Sequence, residues 1–247
     1  MSFFEYLLLI LSVVGGGGLS LFFKRLPANG LRLFLSFTGA FLLGISFLHL
    51  LPGVYEQKLI EPGYWVLLGF FIQLLLEQLS GGVEHGHIHA HTHAPWNYAF
   101  TVMLGLCLHA FMEGMPLAEF SHYQTEHLGH STSSQYLLLG IVLHHAPAAF
   151  ALGMLLQWSG FKATTVLLCL LVFSLMSPAG ALLAGSFHLG AREEQILISL
   201  VIGSFLHIST TILFEADGTH KHRISLFKFV AILAGVLLSL ATVLVGD

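Results

Sequence analysis

Hydrophobic residues in this chain gather into eight long runs, at about 4–23, 31–55, 64–80, 98–120, 136–159, 164–188, 196–217 and 226–246. About 20 apolar residues in helical form cross the roughly 30 Å of hydrocarbon in a bilayer. No water reaches the backbone at that depth, so each segment must pair its own N–H and C=O groups, as a helix does. The runs are too long and too evenly apolar for the alternating strands of a membrane barrel. The pattern predicts an all-α polytopic membrane protein, a single integral membrane domain over residues 1–247. The first run opens at Met1-Ser-Phe-Phe-Glu5, without the basic region and small-residue cleavage site of a signal peptide, and is expected to be kept as a span.

Composition supports lipid as the solvent. Hydrophobic residues make up 55% of the chain and charged ones 9%, against about 25% charged in a soluble globule. A net charge of −4 with 9 Lys and Arg offers no basic field, which excludes nucleic acid as a partner. Cys107 and Cys169 both lie inside apolar runs, so no disulfide framework is expected. The basic residues set an orientation. Lys24, Arg25, Arg32, Lys162, Lys221, Arg223 and Lys228 follow spans 1, 5 and 7, against Lys58 and Arg192 on the other side. This asymmetry predicts a multi-pass protein of the cell membrane with both termini extracytoplasmic and the 81–97 loop in the cytoplasm.

Chemistry enters with the polar residues inside these spans, since each ionisable group at bilayer depth costs about 2.5–3.5 kcal/mol. Span 4 carries His109 and Glu113 at i and i+4, on one helix face. Span 5 carries His144 and His145 just before Pro147, and span 2 carries His49 before Pro52. Along one face of span 7 run Ser204, His207, Thr211 and Glu215. In this reading Glu113 is the one mid-membrane acid. Pro52, Pro116, Pro147 and Pro178 would free the carbonyls of Leu48, Met112, Leu143 and Ser174 and loosen four helices beside these side chains.

Imidazoles with a carboxylate facing a cavity point to an intramembrane metal site, drawn from His109, Glu113, His144, His145, His49 and His207. A lone intramembrane histidine such as His49 or His207 is equally explained as a helix–helix hydrogen-bond partner, and Glu215 by solvent at the end of its span. Between spans, His85, His87, His89, His91 and His93 alternate with small residues in a loop expected to be mobile and metal-binding. The opposite loop holds His122, Glu126, His127 and His130. The Gly15–Gly18 run permits either close helix approach or slack in a loose helix.

At these residues the chain resembles the ZIP (Zrt/Irt-like) family of divalent-metal transporters, along its whole length. The family's His-Asn-x-x-Asp/Glu-Gly in span 4 corresponds to His109-Ala110-Phe-Met-Glu113-Gly114. Its His-Glu-x-Pro-His-Glu in span 5 corresponds to His144-His145-Ala146-Pro147-Ala148-Ala149, and its His-Leu-Leu-Pro in span 2 to His49-Leu50-Leu51-Pro52. Segments Pro178–Gly185 and Gly203–Ile208 are also similar. The resemblance implies an eight-helix ZIP-like bundle in which one group of helices rocks against another. The chain departs from the family in its carboxylates: Ala110 replaces Asn, span 5 has no acid, and Ser177 stands at the usual span-6 acid position.

One carboxylate and neutral histidines leave a bound divalent ion with a residual charge of +1, costly to bury without water or a counter-ion. The histidine-rich set favours zinc over manganese. The resulting expectation is a non-enzymatic carrier whose metal is cargo and not cofactor. Metal would enter near His49, bind at His109, Glu113 and His144 or His145, and leave toward Glu215, His220, His222 and the 81–97 loop. Two alternatives stay open. One is an intramembrane metal-dependent hydrolase with His109, His144 and His207 as ligands and Glu113 as base, although the chain has no His-Glu-x-x-His pattern. The other is a metal-binding relative that no longer transports. The bilayer and a divalent ion are the expected partners, and a homodimer is left open.

Overall fold

The structure is a computed structural model that describes residues 1–23, 28–86, 96–118, 132–187, 189–214 and 225–246. Among the described residues it is helical, with no strand, and eight helices are long and apolar enough to cross a membrane. Helix α1 (Phe3–Ser20) starts in a capping box, where Ser2 and Glu5 satisfy each other's free backbone N–H. Helix α2 (Ala28–Ile45) runs through a π-helical turn at Ser46–Leu50 into α3 (Leu51–Gln57), together forming the second span. Then follow α4 (Pro62–Ser80), α5 (Trp96–Gly114), α6 (Thr132–Trp158), α7 (Ala163–Ser186), α8 (Ala191–Phe214) and α9 (Leu226–Gly246).

The four prolines act in two ways. Pro52 sits just beyond the π-helical turn that carries His49, and Pro116 follows a break at Met115. Pro147 and Pro178 lie inside α6 and α7, which continue through them without interruption. Loosening is therefore local to the ends of spans 2 and 4.

Two sets of helices pack most closely among themselves. Helix α1 lies against α6 and α7, and α5 against α7; in the second set α2 lies against α9 and α8, and α4 against α8. The sets meet where α4 touches α5 and α2 touches α6. Helix α6 is the central one: 78% of its spanning window is buried, against 22% for α1, α4 and α9. The outer faces carry Leu168, Leu171, Leu182, Phe229 and Leu237, apolar side chains suited to acyl chains and not to water.

Close contact relies on missing side chains. In the Gly15–Gly18 run, a Cβ on Gly16 would fall 2.2 Å from the Ala146 carbonyl oxygen and one on Gly17 would strike Leu170, whereas Gly15 and Gly18 face open space. Half the run serves close approach. At the α5–α7 contact, Gly114 meets the Ser177 backbone and Gly180 meets the Phe111 backbone.

The loop after α4 corrects one expectation. Gly81 and Gly82 take positive φ, turning the chain back toward the bundle. A 3₁₀ turn at Val83–His85 follows, and it buries Glu84 and His85 against α4 and α6. His85 is thus a packed residue and not part of a mobile tract. The remaining loop histidines, His87, His89, His91 and His93, lie outside the described residues, as do His122, Glu126, His127, His130, Glu215, His220 and His222.

Candidate metal centre

Helix α5 places His109 and Glu113 one turn apart and both buried, with Glu113 reaching His145 and the His109 ring beside His144 on α6. Glu113 Oε1 lies 3.3 Å from His109 Nε2 and its Oε2 lies 3.0 Å from His145 Nε2. One ligand atom from each of these three residues falls within 4.8 Å of the others. Two ligands bound to zinc at 2.0–2.1 Å and at the tetrahedral angle lie about 3.3 Å apart, so the spacing suits one small ion. His144 stands beside this group, its ring centroid 6.0 Å from that of His109 and 6.1 Å from that of His145.

His144 is fully buried, and neither of its ring nitrogens has a hydrogen-bond partner; His109 Nε2 and Glu113 Oε1 also lack one. Each buried unsatisfied polar group costs about 1–3 kcal/mol. His109 Nε2 and Glu113 Oε1 face each other inside the group, and a neutral His144 has one lone-pair nitrogen to offer a cation beside them. His144 and His145 are neighbours on a helix and project about 100° apart, so one rotation of α6 decides which of them meets Glu113. The structure gives that contact to His145.

A second polar cluster lies toward the end of the bundle that bears the 81–97 loop. Glu77 accepts from His207 Nε2 at 2.5 Å and pairs with His85 Nδ1 at 3.3 Å, and the His85 and His207 rings are 6.1 Å apart. His207 thus belongs with Glu77 and not with the His109, Glu113 and His145 group. Between the clusters sits Gln73, buried on α4, in contact with His109, Ser204 and Glu84. Glu84 also accepts from Ser80 Oγ at 2.6 Å.

Two further acids are withdrawn from water near the loop end of α4: Glu84 is buried and Glu77 largely so. Gln73, Glu77 and Glu84 were not among the residues read as functional from the sequence, because none of them lies in a histidine pair or a proline-linked motif. Their signal was present as Gln73, Glu77, Ser80 and Glu84 at spacings of four, three and four along an otherwise apolar helix and its end.

His49 lies apart from both clusters. Thr242 Oγ1 already donates to the Ser239 carbonyl, so it accepts from His49 Nε2 at 2.8 Å. The His49 ring stacks at a tilt on Tyr136, 4.4 Å between centroids, and Tyr136 donates to the Thr242 carbonyl. This arrangement ties the π-helical turn to the ends of α6 and α9.

Comparison with known proteins gives this geometry a context. The family model described as ZIP zinc transporter matches residues 84–242, well over half of the chain. Zinc transporter ZIP9 of Micropogonias undulatus is 28% identical over 185 residues, covering 69% of this chain and 57% of that protein. Zinc transporter ZIP9 of Xenopus tropicalis is 27% identical over 175 residues, covering 65% and 55%. Zinc transporter ZIP1 of Danio rerio is 25% identical over 179 residues, covering 69% and 55%. The matched region thus spans little more than half the length of each of these relatives. With eight membrane-length helices and a family match from the buried turn after α4 almost to the end of α9, the chain belongs to the ZIP zinc transporter family.

Proposed function

We propose that this protein carries a divalent metal ion, zinc foremost, across the membrane toward the cytoplasm. The observation that carries the reading is the buried group of His109, Glu113 and His145, with ligand atoms within 4.8 Å of one another at the heart of an eight-helix bundle. His144 adds an unpartnered imidazole beside it. Two or three imidazoles and one carboxylate suit zinc and similar late first-row ions better than manganese. The relatives described as zinc transporters favour a carrier over a hydrolase or a transport-dead binder.

The charge problem of a one-carboxylate site is eased by its surroundings. Glu84 reaches His109 through the Gln73 side chain, and Glu77 lies one turn beyond Gln73 on α4, paired with His85 and His207. A bound divalent ion therefore meets negative charge beyond its own ligands. The path we infer runs from the His49 end of the bundle to the His109, Glu113 and His145 group, then past Gln73 to Glu77, His85 and His207. The excess of basic residues in the loops after spans 1, 5 and 7 supports a cytoplasmic side for that last cluster. In this reading passage is by a shift of one helix set against the other, whose contacts include α4 with α5 and α2 with α6.

The test is flux into proteoliposomes of purified protein, with zinc, cobalt, iron and manganese offered in turn. Zinc should enter at a rate well above that of protein-free vesicles and manganese far more slowly. Zinc entry no faster than in protein-free vesicles, with protein shown to be folded and inserted, would overturn the carrier reading.

A further inference from the structure

We propose that Gln73 is a positioning residue for the metal centre: its side-chain oxygen holds His109 as the Nδ1–H tautomer and so presents the Nε2 lone pair to the space shared with Glu113 and His145. Gln73 is buried on α4, outside the His109, Glu113 and His145 group, and is hydrogen-bonded to His109, Ser204 and Glu84. Its oxygen lies 2.9 Å from His109 Nδ1 and 3.1 Å from Ser204 Oγ. An amide oxygen has no proton to give, so the proton in the first contact belongs to His109 Nδ1. A neutral imidazole carries a single N–H, which leaves Nε2 as the lone pair. That atom faces Glu113 Oε1 at 3.3 Å and has no hydrogen-bond partner.

The amide itself is held in one sense. Its nitrogen donates to Glu84 Oε1 at 3.5 Å, while Glu84 Oε2 takes the Ser80 hydroxyl at 2.6 Å. Flipping the amide would set its oxygen against the Glu84 carboxylate, acceptor against acceptor, and would turn its N–H₂ toward the hydroxyl and the imidazole. Glu84 and Ser204 thus fix Gln73, and Gln73 fixes His109. A metal-bound histidine is commonly oriented in this manner by an acceptor on its other ring nitrogen. Here the acceptor comes from the opposite helix set, across the α4–α5 contact, and its anchor Glu84 lies at the root of the histidine-rich loop. The bonding pattern therefore links that root to a metal ligand. The tautomer is a property of the protein alone, and only the effect on affinity rests on the metal-carrier reading.

The test is nitrogen NMR of ¹⁵N-histidine-labelled, metal-free protein in lipid bilayers, with the His109 signals identified by their loss in His109→Asn. Wild type should show His109 as the Nδ1–H tautomer. Gln73→Met should shift it to Nε2–H or to a mixture, and zinc affinity should fall by about 10–100-fold, as for other partners that orient a ligand. Gln73→Glu, which keeps an oxygen facing His109, should restore the Nδ1–H signal. An Nε2–H tautomer in wild type, or an unchanged Nδ1–H signal in Gln73→Met, would overturn the proposal. If the tautomer responds as stated while wild type binds no zinc, the positioning role stands and the carrier reading falls.

Discussion

His145 Nε2 sits 3.0 Å from Glu113 Oε2, a contact between buried side chains on two different helices, α6 and α5. Glu113 thereby joins both helices of the candidate site, since its other oxygen faces His109. Glu113→Gln should therefore weaken zinc binding more than any single histidine change. The scale is about 3–5 kcal/mol, by analogy with breaking a buried pair. Equilibrium zinc titrations of folded protein should give the order Glu113→Gln, then His109→Ala and His145→Ala, then His144→Ala. Near-normal affinity in Glu113→Gln would remove that residue from the site.

The loop histidines should separate into two kinds. Replacing His87, His89, His91 and His93 together with Ser should leave zinc flux largely intact. His85→Ala should lower both flux and thermal stability, because His85 is packed against Glu77 and beside His207. A synthetic peptide of residues 86–95 should bind zinc weakly and release it below about pH 6.5, where protonated imidazoles cease to be ligands. Flux and melting curves of the two variants, with a pH titration of the peptide, check this.

Eight spans were legible because lipid imposes a simple rule: apolar length with internally paired backbone means a helix. His109 and Glu113 were legible as a pair because i and i+4 share a helix face. The choice between His144 and His145 was not, since it depends on how α6 is rotated against α5, which neighbouring side chains along the whole helix decide. His207 looked like a member of the central site from its own helix, yet its partner is Glu77 on α4. The burial of His85 depends on the turn at Gly81 and Gly82, a backbone feature that a run of alternating histidines obscures.

Two glycines provide a test of packing. Gly114→Ala would set a Cβ about 2.1 Å from the Ser177 carbonyl oxygen, which cannot yield without moving α7. A loss of about 1–3 kcal/mol is expected from such overpacking, seen as a lower Tm in detergent. Gly18→Ala meets open space and should leave Tm unchanged or raised, given the better helix propensity of alanine.

Orientation is open to direct labelling. In a background lacking Cys107 and Cys169, a cysteine at Lys58 should react with an impermeant reagent from outside intact cells, and one at Lys221 only after permeabilisation. The reverse pattern would invert the topology and the inferred direction of transport.

The central claim, that the metal is held by His109, Glu113 and His145, is tested most directly by zinc X-ray absorption on protein loaded with one equivalent of zinc. The prediction is a first shell of imidazole nitrogens and carboxylate oxygen at about 2.0–2.1 Å, losing one imidazole in His109→Ala and again in His145→Ala, and losing the carboxylate in Glu113→Ala. A shell unchanged by all three substitutions would place the metal elsewhere and contradict the account.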